Sequence, residues 1–263
     1  MSLFDTITHR RNIYKAIYAL DSYICERNLL SVEDLKCYYQ LKDKFDFDGT
    51  IKDVIEKCQK KLEKILNEEN DDFFTVSVYY KIKKLKDENG KQLVTYRPLH
   101  TASLIDQICM AALLIPLMFD DSKGVRNKSE LSRMIPHNFF GNMPSESVDS
   151  LFMNWTEKYR QYSKIIQDKS REYLKTREYD TVINFDLADF FPSIDPARMY
   201  NFILNLLVPK YPDKDDLKTL KKAIVKLLYF KIQEDSLRGW MDVYYPNTDT
   251  TSFKEVFMNI LYV

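Results

Sequence analysis

The chain has 263 residues, 39 Lys and Arg against 39 Asp and Glu, and 45% hydrophobic content. At about 150 residues per domain this allows one large domain or two small ones with a sizeable core, and it excludes a disordered or collagen-like chain. Zero formal charge means that any polyanion-binding surface must be local. The five glycines, Gly49, Gly90, Gly124, Gly141 and Gly239, stand too far apart to write G-x-G-x-x-G or G-x-x-x-x-G-K-[ST], which excludes Rossmann and P-loop nucleotide binding. Cys25, Cys37, Cys58 and Cys109 lack C-x-x-C spacing, so reduced thiols are expected rather than a zinc site. The start has no basic, apolar leader, and the longest apolar run, Cys109 to Phe119, is too short to span a bilayer. A soluble, cytoplasmic protein without a membrane partner is the expectation.

Residues 1–70 lack proline and balance 12 basic against 13 acidic residues. Ile13, Ile17, Leu20 and Ile24 recur at helical spacing, as do Ile51, Ile55, Cys58, Leu62 and Ile65. Between them Ser31-Val32-Glu33-Asp34 has the form of a capping box. Three helices with solvated faces are predicted. Then Val76, Val78, Tyr80 and Ile82 alternate with Ser77, Tyr79, Lys81 and Lys83, turn at Asp87–Gly90 and return through Leu93–Arg97, which predicts a β-hairpin. Its polar face would carry Lys81 and Lys83, with Lys84 and Lys86 nearby. Residues 81–100 hold six basic and two acidic residues, a local +4. Two readings stand on spacing alone: a phosphate clamp, or an edge protected by lysines.

Leu104–Met118 predicts a buried helix, and residues 123–142 a loop with Lys123, Arg126, Lys128 and Arg133. Val148–Tyr173 predicts an amphipathic helix carrying Leu151, Phe152, Trp155, Tyr159, Tyr162 and Ile166. Thr181–Phe185 predicts a short strand, Asp195-Pro196 the cap and first position of a helix, and Leu217–Ile232 another helix with Lys218, Lys221, Lys222 and Lys226 on its polar side.

The segment Ile183 to Asp195 concentrates the chemistry. Asp186 ends the apolar run, where a sheet can present a carboxylate to Mg²⁺, a hard ion taken by one or two carboxylates plus substrate phosphates. A strand-end Asp in a capping turn is the alternative on spacing alone.

Phe185-Asp186-Leu187-Ala188-Asp189-Phe190-Phe191-Pro192-Ser193-Ile194 resembles the first catalytic motif of reverse transcriptases, above all the bacterial retron, group II intron and phage-defence (abortive-infection and unknown-group) branches. Upstream, Tyr96-Arg97-Pro98-Leu99-His100-Thr101-Ala102-Ser103-Leu104-Ile105-Asp106-Gln107 resembles the fingers motif Arg-Pro-Leu-x-Ile-Pro-x-x-x-Asp, behind a lysine-bearing hairpin. Asn138–Asn142 resembles the following loop motif in degenerate form, and the spacer around Trp155 and Tyr159 is similar to that of the defence branch. The resemblance implies that Asp186 binds two Mg²⁺ ions, with the main-chain carbonyl of Leu187 completing one shell. It implies that the amides around Asp189 and Phe190 face the triphosphate, that Phe191 gates against a ribose 2′-hydroxyl, and that Arg97 with Lys83 or Lys84 neutralises the triphosphate. An ordinary surface arginine is the other reading of Arg97.

The family also needs a Tyr-x-Asp-Asp strand and a Gly-x-Pro-x-Gly segment, and neither follows Asp186. Met118-Phe119-Asp120-Asp121 imitates the former upstream, at a predicted helix end rather than in a hairpin, and Asp215-Asp216 reads as a helix cap. The expectation is therefore an α+β chain with a helical region over 1–70, fingers over 71–178 and an incomplete palm over 179–263. It would be the N-terminal piece of an RNA-directed DNA polymerase in antiphage defence, acting on dNTPs with RNA and DNA template or primer, and inactive alone. A structured non-coding RNA, a protein primer and oligomerisation stay open. The alternatives are template-independent DNA synthesis and a non-catalytic nucleic-acid-binding regulatory module.

Overall fold

The computed structural model describes residues 1–20, 31–42, 47–67, 72–88, 91–120, 127–128, 133–135, 143–145, 147, 150–177, 181, 183 and 194–233. They form an α+β arrangement. Helices α1 (Leu3–Thr8), α2 (Arg10–Ala19), α3 (Val32–Lys42) and α4 (Phe47–Leu66) lead into strands β1 (Phe74–Glu88) and β2 (Lys91–Ala102). Helix α5 (Leu104–Met118) and two short strands, β3 (Phe119–Asp120) and β4 (Asn127–Lys128), come next. Helices α6 (Trp155–Thr176), α7 (Pro196–Leu207) and α8 (Lys214–Leu228) and strand β5 (Phe230–Ile232) complete the order. No described helix is long and apolar enough to cross a membrane.

The residues around α5 decide the architecture. Ser103 caps it by accepting the Asp106 N–H (3.2 Å), and from Ile108 onward almost every side chain is apolar. A helix apolar all round must be covered all round. Helices α1, α2, α3, α4 and α8 all pack on it, burying Leu104, Ile108, Cys109, Ala112 and Leu113 in one cluster with Ile13, Ile17, Leu62, Leu220 and Ile224.

Pro116 sits inside α5 and has no N–H, so it cannot bond the carbonyl of Ala112 four residues back. Asn12 of α2 supplies the missing donor: its buried side-chain amide gives one hydrogen bond to Ala112 O (2.9 Å) and another to Ile7 O (3.0 Å). The carbonyl of Pro116 accepts in turn from the Tyr211 hydroxyl (3.3 Å) and Lys210 Nζ (3.4 Å). A buried polar residue in an apolar seam thus matches the backbone group that proline leaves open.

Several expectations need correction. An unforeseen first helix, α1, is closed by a capping box between Ser2 and Asp5. The α6 helix starts at Trp155, not 148. Asn154 caps it, and Phe152 instead pairs with Pro144 in an isolated bridge. The last helix stops at Leu228, because from Phe230 the backbone pairs with β1 (Phe74 with Phe230, Val76 with Ile232). Its cap is Asp213, which accepts the N–H groups of Asp215 and Asp216, while Asp216 accepts the Leu3 N–H across the interface (2.5 Å). Phe119-Asp120 does lie in an antiparallel pair, with Asn127-Lys128, so its distance from the family motif rests on chain order alone.

Loss of the Asn12 amide leaves a buried carbonyl unsatisfied, so Asn12→Ala is expected to cost about 1–3 kcal/mol in urea unfolding. Adding Pro116→Ala restores the N–H and should recover part of that cost, whereas Pro116→Ala alone should change little. Purely additive effects would mean that the two positions are not coupled.

Candidate functional site

The residues that resemble a nucleotide site fall into two groups. Arg97, Lys83 and Lys84 lie in the hairpin, at positions the backbone describes. Asp186, Leu187, Asp189, Phe190 and Phe191 lie outside the described residues, as do Asn138–Asn142. Of the expected strand Thr181–Phe185, only Thr181 and Ile183 are described; neither belongs to a strand, and Ile183 is 80% exposed. Among the described residues the third strand of the sheet comes from Phe230–Ile232 instead.

The sheet order is β2-β1-β5, with β1 central, β2 antiparallel and β5 parallel to it. In the ladder Lys81 pairs with Arg97 and Ile82 with Tyr96, then Lys84 with Thr95. Lys83 is therefore the extra residue of a β-bulge, and the bulge shifts the alternation by one. Residues 81, 84 and 86 share a row with 93, 95 and 97, while 80, 82 and 85 share the other with 94, 96 and 98. The expected pairing of Lys81 with Lys83 on one face is thus replaced by a row of Lys81, Lys84, Lys86 and Arg97. Strict alternation could not show this, because the bulge is a property of the pairing.

Both ends of the hairpin are fastened to the first turn of α5. Asp106, only 2% exposed, forms an ion pair with Lys61 of α4, and its other oxygen accepts the Thr75 N–H near the start of β1 (3.4 Å). At the end of β2, the Gln107 side chain donates to Ala102 O (2.8 Å). Asp34 of α3 accepts the Leu104 N–H (3.1 Å), so two carboxylates meet the positive end of the α5 dipole. The Ser31 capping box is accordingly half made: Ser31 Oγ accepts the Asp34 N–H (3.2 Å), but Asp34 turns to α5. On the far edge, Gln233 N–H donates to Val76 O (2.9 Å) and Ser77 Oγ to Gln233 Oε1 (2.6 Å).

Beside this base lies a hollow of about 400 Å³ lined by Lys60, Lys61, Lys64, Ile65, Asp72 and Phe73. The helical lysines were expected to be solvated. Lys226 is instead buried, donating to Asp72 O (2.5 Å) with its ammonium 3.8 Å from the Phe73 ring centre. Lys222 donates to Asn67 O, and Lys64 pairs with Asp72, holding its carboxyl below the usual range. These lysines close on the two ends of the connector Asn67–Asp72, whose sequence holds four carboxylates. The i, i+4 spacing of Lys60 with Lys64 and of Lys222 with Lys226 was the available signal. What each pair faces was not.

Cys58 of α4 and Cys109 of α5 are both buried, and the Cys109 thiol donates to the Cys58 carbonyl (3.7 Å). The neighbouring Cys58 thiol and burial push Cys109 far up, so it stays protonated and inert. Among the described residues no three His, Cys, Asp or Glu side chains gather as metal ligands. Compared with known protein families, curated proteins and solved structures, the chain matches none.

Lys61 is one-third exposed and can turn to water when Asp106 is lost, whereas Asp106 has no such escape. Removing one partner of a buried pair costs about 3–5 kcal/mol. Asp106→Ala is expected near the low end of that range and Lys61→Met near the high end in guanidinium unfolding followed by circular dichroism. The reverse order would mean that Lys61 is not what holds the carboxylate.

Proposed function

We propose that this chain is the N-terminal portion of an RNA-directed DNA polymerase of the reverse-transcriptase kind, serving bacterial antiphage defence. The observation that carries the reading is the Phe185–Ile194 motif together with the Tyr96–Gln107 motif in the family's chain order. In support, the second motif folds as a strand end, a cap and a first helical turn, with Asp106 tying a basic hairpin to the core. Lys81, Lys84, Lys86 and Arg97 in one ladder row suit a triphosphate better than scattered surface charges would.

In this reading Arg97 and Lys84 draw the triphosphate to the hairpin, with Lys83 at the bulge beside them. The backbone amides of Asp189 and Phe190 orient it, and the ring of Phe191 packs under the sugar and leaves no room for a 2′-hydroxyl. Asp186 and the Leu187 carbonyl are hard oxygen donors of the kind Mg²⁺ takes, though a single carboxylate is part of such a set. When bound, two Mg²⁺ ions would activate the primer hydroxyl and steady the triphosphate. The second carboxylate pair is not written in these 263 residues, so the chain by itself should not polymerise. A second reading, a nucleic-acid-binding regulatory module, keeps the basic hairpin without the chemistry.

In the full-length protein, Asp186→Ala should abolish dNTP incorporation on an RNA-templated DNA primer and on a free primer end. Incorporation at the parental rate would overturn the polymerase reading. An intact parent that binds template yet incorporates nothing would favour the regulatory module. Phe191→Ala should raise the use of ribonucleotides relative to deoxyribonucleotides in single-nucleotide extension; unchanged selectivity would remove Phe191 as the gate.

A further inference from the structure

The hollow at the base of the hairpin is lined by charge rather than by apolar surface. Lys60, Lys61 and Lys64 line it from the last turns of α4, Asp72 and Phe73 from the lead into β1, and Ile65 adds the single aliphatic side chain. Small-molecule sites hold an apolar body on a mostly apolar lining, so a ligand of this hollow has to be charged.

The sign of that charge follows from the pairing. Lys61 is taken by Asp106 and Lys64 by Asp72, while exposed Lys60 forms no ion pair among the described residues. Behind the lining, the buried Lys226 ammonium lies 3.8 Å from the centre of the Phe73 ring, and that of Lys231 lies 5.9 Å from it. Among the described residues, five ammonium groups thus stand against two carboxylates. Asp72 registers the excess: Lys64 above all, with Lys231 and Lys226 adding, holds its carboxyl below the usual range. A concave surface of one sign concentrates counter-ions of the other.

Size and spacing narrow the counter-ion. Lys60 and Lys64 stand one turn apart on one face of α4, about 6 Å along the axis, which suits two phosphoryl groups in one ion better than one. A hollow of about 400 Å³ has room for a small ion and not for a run of nucleotides. An ammonium donates in more than one direction, so Lys64 can keep Asp72 and still reach a ligand.

We propose that this hollow binds a small diphosphate anion, held directly by Lys60 and Lys64, with Lys61, Lys226 and Lys231 supplying the surrounding field. The site is separate from the hairpin row and independent of Asp186 and of any polymerase chemistry.

The test is calorimetric titration of magnesium-free inorganic pyrophosphate into the full chain at fixed ionic strength, joined to lysine acetylation read by mass spectrometry. Lys60→Glu should weaken binding at least about tenfold, the loss of one charge-assisted hydrogen bond. Lys52→Glu makes the same charge change at an exposed position of α4 outside the hollow, and should stay within about twofold of the parent. Bound pyrophosphate should protect Lys60 and Lys64 from acetylation. No binding, equal loss in the two variants, or equally tight binding of sulfate would overturn the site. Protection confined to Lys81, Lys84 and Lys86 would do the same by placing the ion on the hairpin. So would binding that arises only when Glu68→Gln and Glu69→Gln are introduced, which would mean that the lysines serve the connector. Pyrophosphate bound here by a full-length protein that incorporates no nucleotide would leave the site standing and count against the polymerase reading alone.

Discussion

The first turn of α5 is where the described structure is joined. A helix N-terminus offers unpaired N–H groups and a positive dipole end, and here two carboxylates answer it from different elements. Asp34 arrives from α3, while Asp106 sits within the turn and reaches outward to Lys61 of α4 and to β1. A buried carboxylate is tolerated only when its charge and lone pairs are met, so α4, α5 and β1 are held in one relative placement. The long hairpin, which otherwise touches the helices little, takes its position from that point and from β5 on its far edge.

The same logic governs the interior of α5. Proline at position 116 leaves the Ala112 carbonyl without its helical partner, and an asparagine from another helix fills the vacancy. A buried amide is costly without partners and specifying with them, since only one placement of α2 brings Asn12 to both Ala112 and Ile7. Apolar packing around α5 supplies most of the cohesion, and the Asn12 and Asp106 contacts select one arrangement from the many that would bury similar area.

Much of the fold was legible in the residues. Period-two alternation from Val76 and a return through Leu93–Arg97 name the hairpin, though its strands run on to Glu88 and Ala102, and the apolar run from Ile108 names the central helix Leu104–Met118. Asp195-Pro196 likewise marks a helix start that is observed. Misreadings arose where two elements compete for one segment. Phe230–Ile232 continues a helical pattern yet pairs as a strand, and Lys226 looks solvent-facing yet is buried under Phe73. In each case the neighbour that decides the outcome is more than 150 residues away in the chain. Of the candidate site, the hairpin residues were legible by type and position, but not the bulge at Lys83 that regroups them.

The low glycine count and neutral charge were therefore informative chiefly by exclusion, removing phosphate-binding loops and a uniformly basic surface. By itself the sequence determined most of the element types and the motifs around Arg97 and Asp186, because periodicity, capping and composition are local. Only the tertiary structure decided which lysines share a row with Arg97, which carboxylate anchors the hairpin and which aromatic side chains stay on the surface. Those are matters of register and burial, set by partners that no local pattern specifies.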